Sequence, residues 1–175
     1  MEITPDFTST QKKALTYLTD ITTNELLFGG GAGGGKSYCG CAWLIINCLQ
    51  YEGTRYLMGR SKLDALKKTT LNTFFEVCNA WEIKSQVHYT FNAQSNIIKF
   101  YNDSEIILKD LFLYPSDPNF DSLGSLELTA AFIDEANQIT QKAKNIVLSR
   151  LRFKLDENIF ALDEKKVDIQ VEQYA

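Results

Sequence analysis

The sequence predicts an α/β fold with a mainly parallel sheet flanked by helices. Three observations carry this reading. The apolar run Glu25-Leu-Leu-Phe28 passes through a glycine-rich turn into 38–51, a stretch that is apolar almost all round. A second run, Arg55-Tyr-Leu-Met58, leads into an amphipathic segment over 61–81. A third, over 127–133, ends in Asp134-Glu135 and enters another helical pattern. Short buried strands that alternate with helices imply crossover connections, and crossovers make a sheet parallel.

The elements follow in order. Ala14, Leu15 and Leu18 have helical spacing, so Thr10-Gln-Lys-Lys-Ala-Leu-Thr-Tyr-Leu18 reads as a short helix. The segment 38–51, with Trp43, Leu44, Ile45, Ile46 and Leu49, reads as a helix packed on both sides. Leu63, Leu66, Leu71, Phe74 and Phe75 form the inner face of one helix over 61–81. Residues 88–91, 96–101 and 105–110 are strand-like, with Asn102-Asp103-Ser104 as a turn. They predict a β-hairpin or meander insertion around 87–111. Pro115-Ser-Asp-Pro118 is a loop, and 136–152 reads as helical. The charged stretch 155–175 receives no firm assignment.

Bulk properties narrow the class. A chain of 175 residues, 45% hydrophobic and 23% charged, suits one globular domain. A net charge of −4 argues against an overall positive coat for nucleic acid but allows a local basic surface. No run approaches the roughly 20 apolar residues of a membrane span, and the polar N-terminus lacks an apolar signal core. The expectation is a cytoplasmic protein with no membrane partner. Cys39, Cys41, Cys48 and Cys78 read as buried small apolar residues. His88 is the only histidine, so no second ligand pair completes a zinc site around Cys39 and Cys41.

The glycine run carries the chemistry. Gly30-Gly31-Ala32-Gly33-Gly34-Gly35-Lys36-Ser37 fits G-x-x-x-x-G-K-[ST] without a mismatch, between an apolar strand and an apolar helix. A flexible linker would have polar flanks. Glycine lets the loop curl until successive N–H groups face an anion, and the following helix points its positive end there. Lys36 would reach the β- and γ-phosphates, and the Ser37 hydroxyl would ligate Mg²⁺. Asp134, where the later strand leaves the sheet, would complete the metal shell. Glu135 is placed to orient or deprotonate an attacking water. Adjacent acids also suit a helix start, but together with the loop they predict an ATPase with its own general base.

These pieces resemble the ATPase domain of the large terminase subunit of tailed bacteriophages, the DNA-packaging motor. The resemblance runs from about Phe7 to about Glu157. Its carriers are the loop, Gly59-Arg60-Ser61 with Leu66-Lys-Lys-Thr-Thr-Leu71, Ser104-Glu-Ile-Ile-Leu-Lys-Asp-Leu111, the block over 116–136, and Ser149-Arg-Leu-Arg152. It implies a RecA-like (ASCE) P-loop NTPase fold with ATP and Mg²⁺ as cofactors. It implies that Gln11 contacts adenine and that Arg60 faces the nucleotide as a catalytic residue beside Lys36 and Glu135. Many members hold an arginine inside the loop, where this chain has Ala32. The missing charge is then expected from Arg60 in cis, or from Arg150 or Arg152 reaching a neighbour in a homo-oligomeric ring.

The implied partners are double-stranded DNA, the portal protein and the small terminase subunit. The implied location is the host cytoplasm, at the procapsid portal during packaging and not in the mature virion. Arg55, Arg60, Lys62, Lys67 and Lys68, against Asp64 alone, form a basic cluster in sequence suited to DNA phosphates. The expected layout is an ATPase domain over 1–157, incomplete on its C-terminal side, with a tail over 158–175. No coupling strand is legible after 157, and the family's nuclease domain is absent from these residues, which suggests a fragment or part of a split subunit. Other P-loop ATPases of the helicase or RecA-like type share the core features. A nucleotide-binding assembly module without turnover is a third reading.

Overall fold

The computed structural model describes residues 5–20, 22–30, 35–152 and 168–170. In chain order they form α1 (Ser9–Thr19), β1 (Glu25–Leu27), α2 (Lys36–Gln50), β2 (Arg55–Arg60), α3 (Leu63–Lys68) and α4 (Thr70–Ala80). Next come β3 (Tyr89–Asn92), β4 (Ile97–Phe100), β5 (Glu105–Asp110), β6 (Ala130–Ile133), α5 (Gln141–Arg150) and β7 (Asp168–Gln170). The strands make one sheet in the order β1-β7-β6-β2-β5-β4-β3. The pairings from β1 through β5 are parallel, and β4 and β3 extend the edge in antiparallel fashion.

The sheet lies between two apolar layers because β2 and β6 alternate across it. Tyr56, Met58 and Phe132 face α1, α2 and α4, while Leu57, Ala131 and Ile133 face α5 and the loop that carries Phe120 and Leu123. All four residues of β6 are buried, which is why that strand reads as an unbroken apolar run. The helix α2 comes so close to β6 that a Cβ on Gly40 would stand 2.3 Å from the Phe132 ring. The four cysteines are buried free thiols, and burial pushes Cys39 and Cys78 up to about 12. They behave as small core residues, as expected.

Four details differ from the sequence reading. The helix over 61–81 is two helices that meet at Thr69 (φ −125°, ψ −74°). The helix over 136–152 is a short 3₁₀ turn followed by α5, which Thr140 caps through the Ala143 N–H. The meander is continuous with the main sheet, because β5 pairs along its whole length with β2. Beyond residue 157, where no strand is legible, β7 lies between β1 and β6. Three residues, Asp168-Ile-Gln170, are too short and too polar to announce a central strand. The rest of the stretch 158–175 lies outside the described residues.

The Gly40 contact sets a test of the packing. Gly40→Ala forces α2 and β6 apart and should lower the unfolding free energy by about 1–3 kcal/mol. Urea denaturation measures this, and an unchanged midpoint would contradict the packing.

Candidate nucleotide-binding site

The site forms where the parallel strands end, the edge at which open α/β sheets place their ligands. β1 leads into Gly30, β2 ends at Arg60, and β6 leads into Asp134. Asp134 extends the β2–β6 ladder by donating its N–H to Gly59 O at 2.9 Å, so its backbone is fixed by the sheet. Glu135 then takes a left-handed conformation (φ 55°) and turns the chain out of the strand.

Asp134 is only 2% exposed. A carboxylate at that depth is costly unless donors surround it. Ser37 Oγ lies 3.1 and 3.0 Å from its two oxygens. Thr70 Oγ1 donates to Oδ2 at 2.6 Å, and the Glu135 N–H donates to Oδ1 at 3.1 Å. Arg60 Nη1 stands 3.8 Å from Oδ2 and donates to Thr69 Oγ1 at 2.5 Å. Arg60 Nε is buried without a partner, so the guanidinium retains a donor for an incoming anion.

The loop side is equally organised. Gly35 caps α2 in a left-handed conformation (φ 69°). Lys36 opens that helix, is buried, and donates from Nζ to Gly30 O. Gln11 is 4% exposed rather than solvent-facing. Its Oε1 accepts from the Thr8 N–H at 2.9 Å, its N–H donates to Thr8 Oγ1 at 3.3 Å, and its Nε2 donates to Gly35 O at 2.9 Å. One side chain therefore both caps α1 and braces the end of the glycine loop. Gly31, Ala32, Gly33 and Gly34 lie outside the described residues.

Ser37 and Asp134 offer only hard oxygen donors in contact with one another, which suits Mg²⁺. Among the described residues no group of three or more His, Cys, Asp or Glu side chains forms a metal cage.

The arginines divide clearly. Arg60 is at the site. Arg150 donates from Nη1 to Gly124 O at 2.7 Å, and its carbonyl accepts from the Leu128 N–H. Leu128 precedes β6 and Asp134 follows it. Six extended residues, about 20 Å, separate the two. Arg150 therefore stands at the opposite edge of the sheet, with Arg152 two residues on and exposed. The basic cluster over 55–68 is likewise divided. Arg55 pairs with Glu105 at 3.1 Å at the start of β2, and Arg60 turns inward at its end. Lys62 lies over the Phe112 ring, 3.1 Å from its centre. Proximity in sequence does not make one patch, because β2 separates Arg55 from Arg60 by about 16 Å.

Sequence reasoning missed Thr69 and Thr70. A cue was present: Thr70 lies four residues from both Leu66 and Phe74, on the buried stripe of the helical pattern. A polar residue on a buried face is the informative exception.

A family model for the phage terminase large subunit matches residues 23–168. The chain belongs to that family. The large terminase of the thermophilic bacteriophage D6E has a similar fold, with a TM-score of 0.71 and 14% identity. The match covers 95% of this chain and 39% of the D6E chain. The same D6E protein in complex with ADP matches with a TM-score of 0.66 at 14% identity, over 94% of this chain and 39% of that one. The large terminase ATPase domain of Thermus phage P74-26 matches with a TM-score of 0.59 at 13% identity, over 96% of this chain and 80% of that domain. The terminase chain thus spans well under half the length of the D6E protein. A search of curated proteins found no match.

Gln11 gives a test of how the terminase site is braced. Gln11→Ala removes a cap partner and one of the two donors to Gly35 O, leaving it the Cys39 N–H alone. It should cost about 1–2 kcal/mol, seen as a lower thermal midpoint. A neutral change would show that α1 does not brace the loop.

Proposed function

We propose that this chain binds ATP·Mg²⁺ and hydrolyses it as a motor domain of a phage terminase large subunit, powering the packaging of double-stranded DNA into the capsid. The observation that carries the reading is the contact of Ser37 with both oxygens of a buried Asp134 carboxylate, with Glu135 next in the chain. The D6E terminase complexes with ADP and with ATP-γ-S support a nucleotide ligand.

In this reading Gly30, Gly31, Ala32, Gly33, Gly34 and Gly35 wrap the phosphates with backbone N–H groups. Lys36 leaves Gly30 O for the β- and γ-phosphates, and Gln11 contacts adenine from the end of α1. Ser37 and Asp134 hold Mg²⁺, which when bound neutralises phosphate charge. Glu135 takes a proton from the attacking water, and Arg60 meets the negative charge that develops on the γ-phosphoryl oxygens. Arg60 fills, in cis, the role that Ala32 leaves vacant in the loop. Arg150 and Arg152 are too far from their own site and would act only on a neighbour in a ring. Partners in that setting are DNA, the portal protein and the small terminase subunit. The place of action is the host cytoplasm, at the procapsid portal and not in the mature virion. No helix among the described residues is long and apolar enough to cross a membrane.

Two variants test the assignment. Lys36→Ala should abolish ATP binding measured by calorimetry. Glu135→Gln should bind ATP as the parent does yet lose turnover by about 10²–10⁴-fold. Unchanged turnover in Glu135→Gln would remove Glu135 from the role of base.

A further inference from the structure

Thr69 and Thr70 meet the two opposite charges of the site separately. Thr69 Oγ1 donates its own proton to Ala65 O at 2.7 Å and so turns a lone pair to Arg60 Nη1 at 2.5 Å. Thr70 Oγ1, fully buried, turns its proton to Asp134 Oδ2 at 2.6 Å. An acceptor faces the cation and a donor faces the anion, from adjacent residues of one helix break. The break is anchored from below, where the Cys41 thiol of α2 lies 3.5 Å from Thr70 O.

A partly buried arginine and carboxylate normally close to about 2.7–2.9 Å, often through two parallel bonds. Here Arg60 Nη1 stops 3.8 Å from Asp134 Oδ2, because each partner already holds a threonine hydroxyl. The contacts to Asp134 also differ in strength. Ser37 Oγ has one proton to share between two oxygens at 3.1 and 3.0 Å, whereas the Thr70 contact is single and short. When Ser37 turns to a metal ion, Thr70 still fixes the carboxylate.

We propose that the Thr69–Thr70 break is a positioning clamp that holds Arg60 and Asp134 apart, keeping the carboxylate oriented toward a divalent cation and the guanidinium available to an anion. This rests on the nucleotide reading of the site. Neither threonine is a catalytic residue; both act through groups that are. Without the Thr70 hydroxyl, Arg60 closes on Asp134 and competes with the metal.

The test is a Mg²⁺ titration of binding to a fluorescent, non-hydrolysable ATP analogue, with Mg²⁺-free binding as the baseline. Thr70→Val, close in shape to the parent, should raise the Mg²⁺ midpoint about tenfold or more and weaken Mg²⁺-free binding by much less. Thr70→Ser should restore the parent midpoint, and Arg60→Met in the Thr70→Val background should move the midpoint back toward it while weakening Mg²⁺-free binding. Should Thr70→Val lose its cooperative melt, the exposed Thr69→Val replaces it and should also raise the midpoint, by releasing Arg60. A folded Thr70→Val with an unmoved midpoint overturns the clamp alone. So does an equal loss of Mg²⁺-free binding, or a serine variant that restores nothing. A parent chain that binds no nucleotide overturns the clamp and the site reading together.

Discussion

The buried carboxylate of Asp134 is the constraint on which the site depends. At 2% exposure it needs donors from several directions, and each comes from a different element. Ser37 arrives at the start of α2, Thr70 at the start of α4, Arg60 at the end of β2, and the Glu135 N–H from the turn after β6. These elements must therefore converge at one sheet edge. The Gly40–Phe132 approach sets the height of α2 over β6. The parallel β2–β6 register sets Arg60 beside the residue that follows Ile133. Packing and chemistry are one problem here, since a shift of α2 or β2 would strand a charge in the core.

Much of this was legible in the sequence, for physical reasons that can be named. The loop over 30–37 announces itself because it fits G-x-x-x-x-G-K-[ST] without a mismatch and because its flanks are apolar. Asp134 announces itself because β6 is buried on both faces and its end is abrupt. Arg60 was legible only through the resemblance to terminases, yet the structure brings it to the site. What stayed hidden has reasons too. Thr70 is a hydroxyl inside an amphipathic pattern, and its partner is 64 residues away. Gln11 was singled out only through the resemblance, as an adenine contact, because a single polar position on a helix gives no sign of its burial or of its contact with Gly35 O. The strand β7 is three residues of mixed character, and its place is set by the gap between β1 and β6. The basic cluster over 55–68 shows a different limit, since Arg55 and Arg60 are close in sequence but stand at the two ends of β2.

The arginine problem sharpens once the sheet is known. A phosphoryl-transfer site gains from a guanidinium that meets developing charge. Three arginines were candidates on sequence grounds, and the length of the strands separates Arg60 from Arg150 and Arg152. Arg150 braces the loop at Gly124, far from Asp134. Arg60 stands beside the Asp134 carboxylate but not on it, with the buried Nε still unpartnered. An arginine collapsed onto Asp134 would serve neither metal nor phosphate. The pair of threonines explains how opposite charges stay close without neutralising each other.

The most direct measurement is a structure of this chain with Mg²⁺ and a non-hydrolysable ATP analogue. The account predicts phosphates cradled by residues 30–37, with Ser37 Oγ released from Asp134 and about 2.1 Å from the metal. It also predicts that Asp134 stays bonded to Thr70. Phosphates bound elsewhere, or Ser37 still on Asp134 with the metal in place, would contradict it.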